Sequence, residues 1–163
     1  MKMKNNKKIV SFALFLLFVS ILVCVNALAL EGFQYNATIM IDNTNNSNTL
    51  TDYQILVTLN TQKLISEGKM QDDCDDIRFT DNDTVTLLPY WIESGCNTNN
   101  TKIWVKVPEI PASSTKKIYV YYGNSEATSV SDRRLTMLWY DDFSSHTLSQ
   151  YTSVGVTTGP TIT

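Results

Sequence analysis

The sequence predicts an all-β fold, an antiparallel β-sandwich of jelly-roll-like type that follows an N-terminal signal helix. After residue 30, apolar and polar residues alternate at period two in several short stretches, as expected for strands with one buried face. Turn-forming residues separate these stretches, and helical periodicity is almost absent. Short strands at this spacing are typical of sandwiches and barrels.

The first 29 residues have the three parts of a secretory signal peptide. Lysines at positions 2, 4, 7 and 8 precede an apolar run from Ile9 to Val25, and Ala27-Leu28-Ala29 supplies a small-x-small cleavage pattern. We therefore predict a signal peptide at residues 1–29 and a secreted or cell-surface protein. The alternative is an uncleaved anchor, because the apolar run is close to the shortest that spans a bilayer.

The net charge argues against polyanionic partners. The sequence carries 13 Lys and Arg against 16 Asp and Glu, a net charge of −3. Removal of residues 1–29 takes away four lysines and no acid, which leaves nine basic against 16 acidic residues and a net charge of −7. Nucleic acid and anionic lipid both bind basic patches. We expect no nucleic-acid partner, and membrane contact only through an uncleaved N-terminal segment.

Six stretches are predicted as strands: residues 33–41, 53–59, 76–80, 84–93, 103–107 and 117–122. Between the second and third, one helical turn closed by Gly68 is expected. Pro89 interrupts the fourth strand, because proline cannot donate to a ladder. Two prolines predict a loop over residues 108–114.

Residues 30–132 are long enough for one sandwich domain with its own core. The segment 125–132 reads as a linker or last loop. Residues 133–163 are a short tail that cannot build a second core. The tail either adds a strand to the first domain or is the remnant of a longer protein.

Two cysteines, Cys74 and Cys96, remain after the signal peptide. In an exported chain such a pair predicts a structural disulfide. A reactive thiol pair would favour a Cys-x-x-Cys spacing, which is absent. A metal pair would need further Cys or His ligands, and the single histidine, His146, is distant in sequence.

The acidic stretch DDCDDIRFTDND, residues 72–83, allows two interpretations. Asp and Asn are favoured turn residues, so Asp81-Asn82-Asp83 predicts a hairpin turn. The EF-hand pattern fails, since the sixth and twelfth positions from Asp81 are Thr86 and Ile92. An irregular calcium site is the alternative, with these carboxylates as ligands: Asp72, Asp73, Asp75 and Asp76.

No catalytic residue is predicted. Paired carboxylates could hydrolyse glycosides, and Asp76, Asp83 and Glu93 are candidates by type alone. No nucleophile motif, phosphate loop or His-containing metal motif accompanies them.

Tyr90, Trp91 and Trp104 are the candidate ligand-binding aromatics, because exposed rings on a sheet can stack on sugars. Aromatic residues of this kind also fill sandwich cores. In the last strand, Tyr119 and Tyr121 share one face and Tyr122 lies on the other, so one of these faces must be core.

Four Asn-x-Ser/Thr sequons are candidate glycosylation sites: Asn36, Asn45, Asn82 and Asn99. Three lie in predicted turns. Asn36 lies in a predicted strand and would have to face outward. Chance occurrence is the alternative, because Asn and Thr are abundant here.

The segments YQILVTLNT, DIRFTDNDTVTLLPYWIES, IWVKVPEIPASSTKKIYVYYGNSEATSVSD and DDF resemble the domain of unknown function 2341 family. The resemblance covers roughly residues 35–132 and implies a secreted or surface β-sandwich module. Family members often precede a lectin-like (concanavalin A-like) domain that begins near DDF. No activity is established for the family, so no catalytic residue is transferred. Within its DIRF segment, Arg78 is expected to pair with Asp76 or Glu93.

These observations predict an exported, non-catalytic surface module for binding or adhesion, with cell-surface glycans or other surface proteins as partners. No cofactor is expected apart from the calcium alternative. Two other hypotheses stay open: an accessory or degenerate glycan-active enzyme domain, and a structural spacer. An aromatic strip on an open sheet face would favour the first hypothesis, and carboxylates converging in a pocket would favour the enzyme.

Overall fold

Residues 30–138 are described by the computed structural model of this protein. The predicted signal peptide at residues 1–29 lies outside the described residues, as does most of the predicted tail, including DDF at 141–143 and His146. The described chain forms two antiparallel sheets with few helical residues, so the predicted all-β sandwich is confirmed. Within it, no helix is long and apolar enough to cross a bilayer.

Seven strands form the described sandwich: β1 (Tyr35–Asp42), β2 (Leu50–Leu59), β3 (Arg78–Thr80), β4 (Leu87–Leu88), β5 (Tyr90–Ser94), β6 (Thr101–Ile110) and β7 (Thr115–Tyr122). Two short helices, α1 (Thr61–Ser66) and α2 (Arg133–Thr136), accompany them. One sheet has four strands in the order β1-β7-β3-β4, and the other has three in the order β2-β6-β5. All pairings are antiparallel.

The core lies between the sheets and is built from alternate residues. Ile103, Val105 and Val107 of β6 are fully buried, as is Ile118 of β7, while the intervening residues of β6 lie outside. The predicted division of β7 is confirmed for Ile118 and Val120, which are core, whereas Tyr119 and Tyr121 on the opposite face are half-buried.

Pro89 does more than interrupt a strand. β4 belongs to the four-stranded sheet and β5 to the three-stranded sheet, so the chain changes sheets at Pro89. The strand predicted over residues 84–93 begins only at Leu87, because the Asp83 carboxylate binds the backbone N–H of Val85 and Thr86 in a turn.

The loop predicted over residues 108–114 is wrong at its start. β6 continues through Pro108 to Ile110. The missing N–H is tolerated there because Pro108, like Lys106, directs its backbone away from β2, and β5 pairs with β6 only from Tyr90 and Val105 onward.

The predicted helical turn is present as α1. The side chain of Asn60 caps it by accepting a hydrogen bond from the Lys63 backbone N–H at 3.0 Å. Gly68 follows with a φ of 67°, a conformation that glycine adopts without a Cβ penalty.

Residues 125–132, predicted as a linker or last loop, are attached to the sandwich as a loop. Gln71 Nε2 donates to the carbonyls of Asn124 and Ala127, and the Asp132 backbone N–H donates to the Tyr90 carbonyl at 2.8 Å. Asp132 also caps α2, which contacts β5 and β6. The packed chain therefore continues past Asp132 to α2.

Candidate functional site

The outer face of the three-stranded sheet carries a row of large apolar side chains. Trp91 of β5 is opposite Trp104 of β6, and Trp104 is opposite Leu56 of β2. Residues opposite each other in an antiparallel sheet point to the same face. Leu56 is 47% exposed, and both tryptophans are partly exposed. We call Leu56, Trp104 and Trp91 the outer row.

The alternation of hydrogen-bonded and non-hydrogen-bonded residue pairs between β5, β6 and β2 determines how closely the side chains of the outer row approach each other. The Lys106 backbone N–H donates to the Pro89 carbonyl at 2.9 Å, one register step from Tyr90 and Val105. Hydrogen-bonded and non-hydrogen-bonded pairs alternate in such ladders. Trp104 and Leu56 are therefore a non-hydrogen-bonded pair, the kind whose side chains approach more closely.

Polar residues border the outer row on both sides. The Gln54–Lys106 pair lies on one side and the Thr58–Lys102 pair on the other. Trp104 Nε1 donates to Glu93 Oε2 at 3.2 Å, which fixes the orientation of the indole ring. An apolar strip bordered by hydrogen-bonding groups matches a ligand that has both apolar faces and hydroxyl edges.

Tyr90 does not belong to this surface, contrary to the prediction of a ligand-binding role. Its side chain is 2% exposed and packs against Phe79, with ring centroids 5.4 Å apart. Its hydroxyl donates to the Ile77 carbonyl at 2.6 Å. Burial raises the pKa of Tyr90 to about 12. The alternation of side chains along a strand explains why Tyr90 is buried while Trp91 is partly exposed. The two residues are neighbours in β5, so their side chains face opposite sides of the sheet.

Asp76 is buried and bound by backbone N–H groups. Its carboxylate accepts from Gln71 at 3.1 Å, Gly123 at 2.7 Å and Asn124 at 3.3 Å. A cavity of about 220 Å³ lies beside it, bordered by Tyr35. These N–H donors satisfy the carboxylate, so Asp76 has a structural role that the sequence did not reveal.

The four aspartates proposed as calcium ligands do not come together in one site. Asp76 faces backbone donors, and Asp73 accepts from the Asp75 backbone N–H at 3.1 Å in a local turn. Asp72 is exposed at the surface. Among residues 30–138, no group of three or more His, Cys, Asp or Glu side chains could hold a metal ion.

The three candidate glycosidase carboxylates do not converge. Asp76 is buried beside Gly123, whereas Asp83 lies in the turn between β3 and β4. Thr86 Oγ1 donates to Asp83 Oδ2 at 2.6 Å, and this bond lowers the pKa of Asp83 from its ordinary value. Glu93 lies on the outer face of the other sheet, beside Trp104. The predicted hairpin turn at residues 81–83 is confirmed by the Asp81 N–H bond to the Thr86 carbonyl at 2.9 Å.

Arg78 does not make the predicted ion pair with Asp76 or Glu93. Its guanidinium donates to three carbonyls instead, at 3.0 Å to Asp75, 2.6 Å to Ile77 and 2.7 Å to Thr128. Asp76 is engaged by N–H donors and Glu93 lies on the other sheet, so neither carboxylate is available. Arg78 therefore fixes the segment after Asn124 onto β3.

Cys74 and Cys96 form the predicted disulfide, with their Cα atoms 6.1 Å apart. Cys74 is fully buried and has a positive φ of 65°. The bond joins the segment before β3 to the loop after β5. Because β3 and β5 belong to different sheets, the disulfide links the two layers at one end of the sandwich.

The four sequon asparagines, Asn36, Asn45, Asn82 and Asn99, are all exposed. Asn36 faces outward from β1, as glycosylation would require. Their modification stays a prediction.

The part of the chain that contains β3 to β7 is similar to a known protein family. Residues 73–153 match the family model described as "Domain of unknown function (DUF2341)". The predicted family is supported over this range, which starts later than the resemblance over residues 35–132 and continues through DDF at 141–143. The lectin-like domain predicted to begin at DDF stays a prediction. No curated protein and no solved structure matches the chain.

The DUF2341 match contains both segments that meet at Asp76. Asp76 opens DIRF, and Gly123 and Asn124 end IYVYYGN. The hydrogen bonds from Gly123 and Asn124 to Asp76 give these segments a structural role.

Proposed function

We propose that this protein is an exported, non-catalytic module of the cell surface that binds carbohydrate on the outer row. The observation that carries the proposal is the alignment of Leu56, Trp104 and Trp91 across all three strands of one sheet. An indole face at a fixed angle can stack on the apolar face of a sugar ring, and the bordering polar residues can bind its hydroxyls. Cell-surface glycans are the proposed partners.

Export rests on two features. The N-terminal sequence has the parts of a signal peptide, and the Cys74–Cys96 disulfide persists in an oxidising compartment. The outer row supports binding over the spacer alternative, since a spacer needs no aligned aromatic strip. Asp76, Asp83 and Glu93 lie apart, and this separation supports a non-catalytic module over the enzyme alternative.

The test is a glycan array probed with the full chain, exported to the periplasm of a host that forms disulfides. Neutral and acidic glycans should both be included, because Lys102 and Lys106 border the outer row. Saturable binding to a defined glycan class is expected. Trp104→Ala should weaken this binding by about tenfold or more, the effect of removing a central aromatic anchor.

Tyr119→Ala is the matched control, since Tyr119 is a partly exposed aromatic residue on the outer face of the other sheet. This variant should bind like the parent chain. Absence of glycan binding by the folded parent would refute the proposal. Equal loss in both variants would show that the outer row is not the binding surface.

A further inference from the structure

On one side of the sandwich, among the described residues, the edge strand of each sheet has no neighbouring strand beyond it. Within residues 30–138, β1 ends the four-stranded sheet and β2 ends the three-stranded sheet. Both border a single groove of about 440 Å³, lined by residues 38–41 of β1 and 55–59 of β2. Two free strand edges therefore lie along the same opening.

Alternate backbone N–H groups of β1 and β2 point out of their sheets into this opening. The Asn43 N–H donates to the Ser114 carbonyl at 2.9 Å, one step beyond the end of the β1–β7 register. Because hydrogen-bonded pairs alternate along the ladder, the N–H groups of Thr38 and Met40 face away from β7. On β2, the same alternation directs the N–H groups of Leu56 and Thr58 away from β6.

Neither edge has the protection usual in soluble proteins. Exposed edge strands are normally short, bulged, or guarded by lysine or proline. β1 has eight residues and β2 has ten, and neither contains Lys, Arg or Pro. Met40 on β1 and Leu56 on β2 are 53% and 47% exposed. The only charges on the two strands are Asp42 and Asp52, so their central stretches are neutral.

We infer that this open side is an interface between two copies of the chain. A single added strand could pair with only one edge, because packed sheets lie about 10 Å apart. The same side of a second copy presents two edges at the same spacing. A two-fold axis perpendicular to the sheets sets β1 antiparallel to its copy and β2 antiparallel to its copy. Neutral strands then meet without like-charge repulsion.

The dimer would continue both sheets across the interface. Leu56 lies at the β2 edge, so the outer rows of the two copies would join on one face of a six-stranded sheet. That would give one bivalent binding surface. The bivalent surface rests on the proposed function, but the dimer itself does not.

The test measures association without any ligand. The full chain, exported to a periplasm that adds no N-glycans, is studied by sedimentation over a concentration series. The parent should sediment as a dimer that dissociates on dilution. Thr38→Lys combined with Thr58→Lys places a charge on each exposed edge and should reduce the mass to that of one chain. Val85→Lys combined with Val130→Lys adds the same charge at exposed residues away from the opening and should leave the dimer intact.

Hydrogen exchange of the parent keeps the inference testable if an edge variant fails to fold. Amides of Thr38, Met40, Leu56 and Thr58 should be slow at high protein concentration and fast on dilution. A parent that stays monomeric throughout, or these four amides exchanging rapidly at every concentration, would overturn the dimer. A dimer that survives in the folded edge variant would place the interface elsewhere.

Discussion

The carboxylate of Asp76 accepts a 2.7 Å hydrogen bond from the backbone N–H of Gly123, 47 residues further along the chain. Asp76 lies just before β3 and Gly123 just after β7, and β3 and β7 are paired neighbours in one sheet. The bond therefore closes one end of that sheet. The backbone N–H groups of Asn124 and Gln71 donate to the same carboxylate, so this one buried side chain holds two backbone segments together.

Replacement of that carboxylate should destabilise the fold. Asp76→Asn substitutes an NH₂ group for one acceptor oxygen, which leaves backbone N–H groups without a partner. We expect the free energy of unfolding to fall by about 1–3 kcal/mol in urea titrations. Asp73→Asn is the control, because Asp73 accepts only from the exposed Asp75 N–H. An equal small effect from both substitutions would contradict the structural role of Asp76.

A side chain at position 123 should not be tolerated. Gly123 has a φ of 87°, and a Cβ there would lie 2.5 Å from Tyr35 Cδ2. Gly68 has a φ of 67°, but a Cβ there would meet no atom within 4 Å. Gly68→Ala should cost about 1–2 kcal/mol from backbone conformation alone. Gly123→Ala should cost clearly more, because the Tyr35 ring, stacked on Tyr122, must also move.

Chemical denaturation of both glycine variants measures this difference directly. A similar loss at the two positions would mean that the Tyr35 ring moves without cost.

Loss of the disulfide should lower stability without changing the sandwich topology. The bond closes a loop between residues 22 apart, which the chain-entropy model values at about 3 kcal/mol. Urea unfolding of the parent, with and without a reductant, measures the loss. The Cys74→Ala, Cys96→Ala double variant should resemble the reduced parent and should not respond to reductant. A reductant effect that persists in the double variant would have another origin.

Stability should decrease at alkaline pH because of Tyr90. Its folded pKa is raised to about 12 by burial, above the ordinary value of 10.0. The stabilising contribution is therefore fully present below pH 10 and is lost as the pH rises toward 12. Tyr90→Phe keeps the ring but leaves the Ile77 carbonyl without its donor, so it should cost about 1–3 kcal/mol at neutral pH.

The diagnostic readout is the slope of stability against pH above pH 10. The slope should be smaller in Tyr90→Phe than in the parent. An unchanged slope in Tyr90→Phe would assign the alkaline loss to other groups.

The strands and their alternating faces followed from local pattern. Alternation along β7 separated Tyr119 and Tyr121 from Ile118, Val120 and Tyr122, because side chains alternate between faces in every strand. The structure decided that the face with Ile118 and Val120 is core. Pro89 and Asp81-Asn82-Asp83 gave the interruption and the turn through their own backbone preferences. The disulfide could be predicted from the cysteine pair, because two thiols in an exported chain usually form a disulfide and the sequence lacks the patterns of a reactive or metal-binding pair.

Long-range partners did not follow from the sequence. Asp76 resembled a metal ligand and Arg78 resembled its ion-pair partner. Besides backbone groups nearby in the chain, Asp76 binds Gly123 and Asn124, and Arg78 binds Thr128. The pairing of β3 with β7 and the path of the chain after it bring these distant groups near. Trp91 and Trp104 were predicted as ligand-binding residues, yet the outer row required the registers of β5 with β6 and of β6 with β2. Sequence alone determined the approximate places of the strands and turns and the alternation of faces within each strand, since those preferences are local. Only the tertiary structure decided which side chains meet across strands, because register and sheet order bring together residues that are distant in the chain.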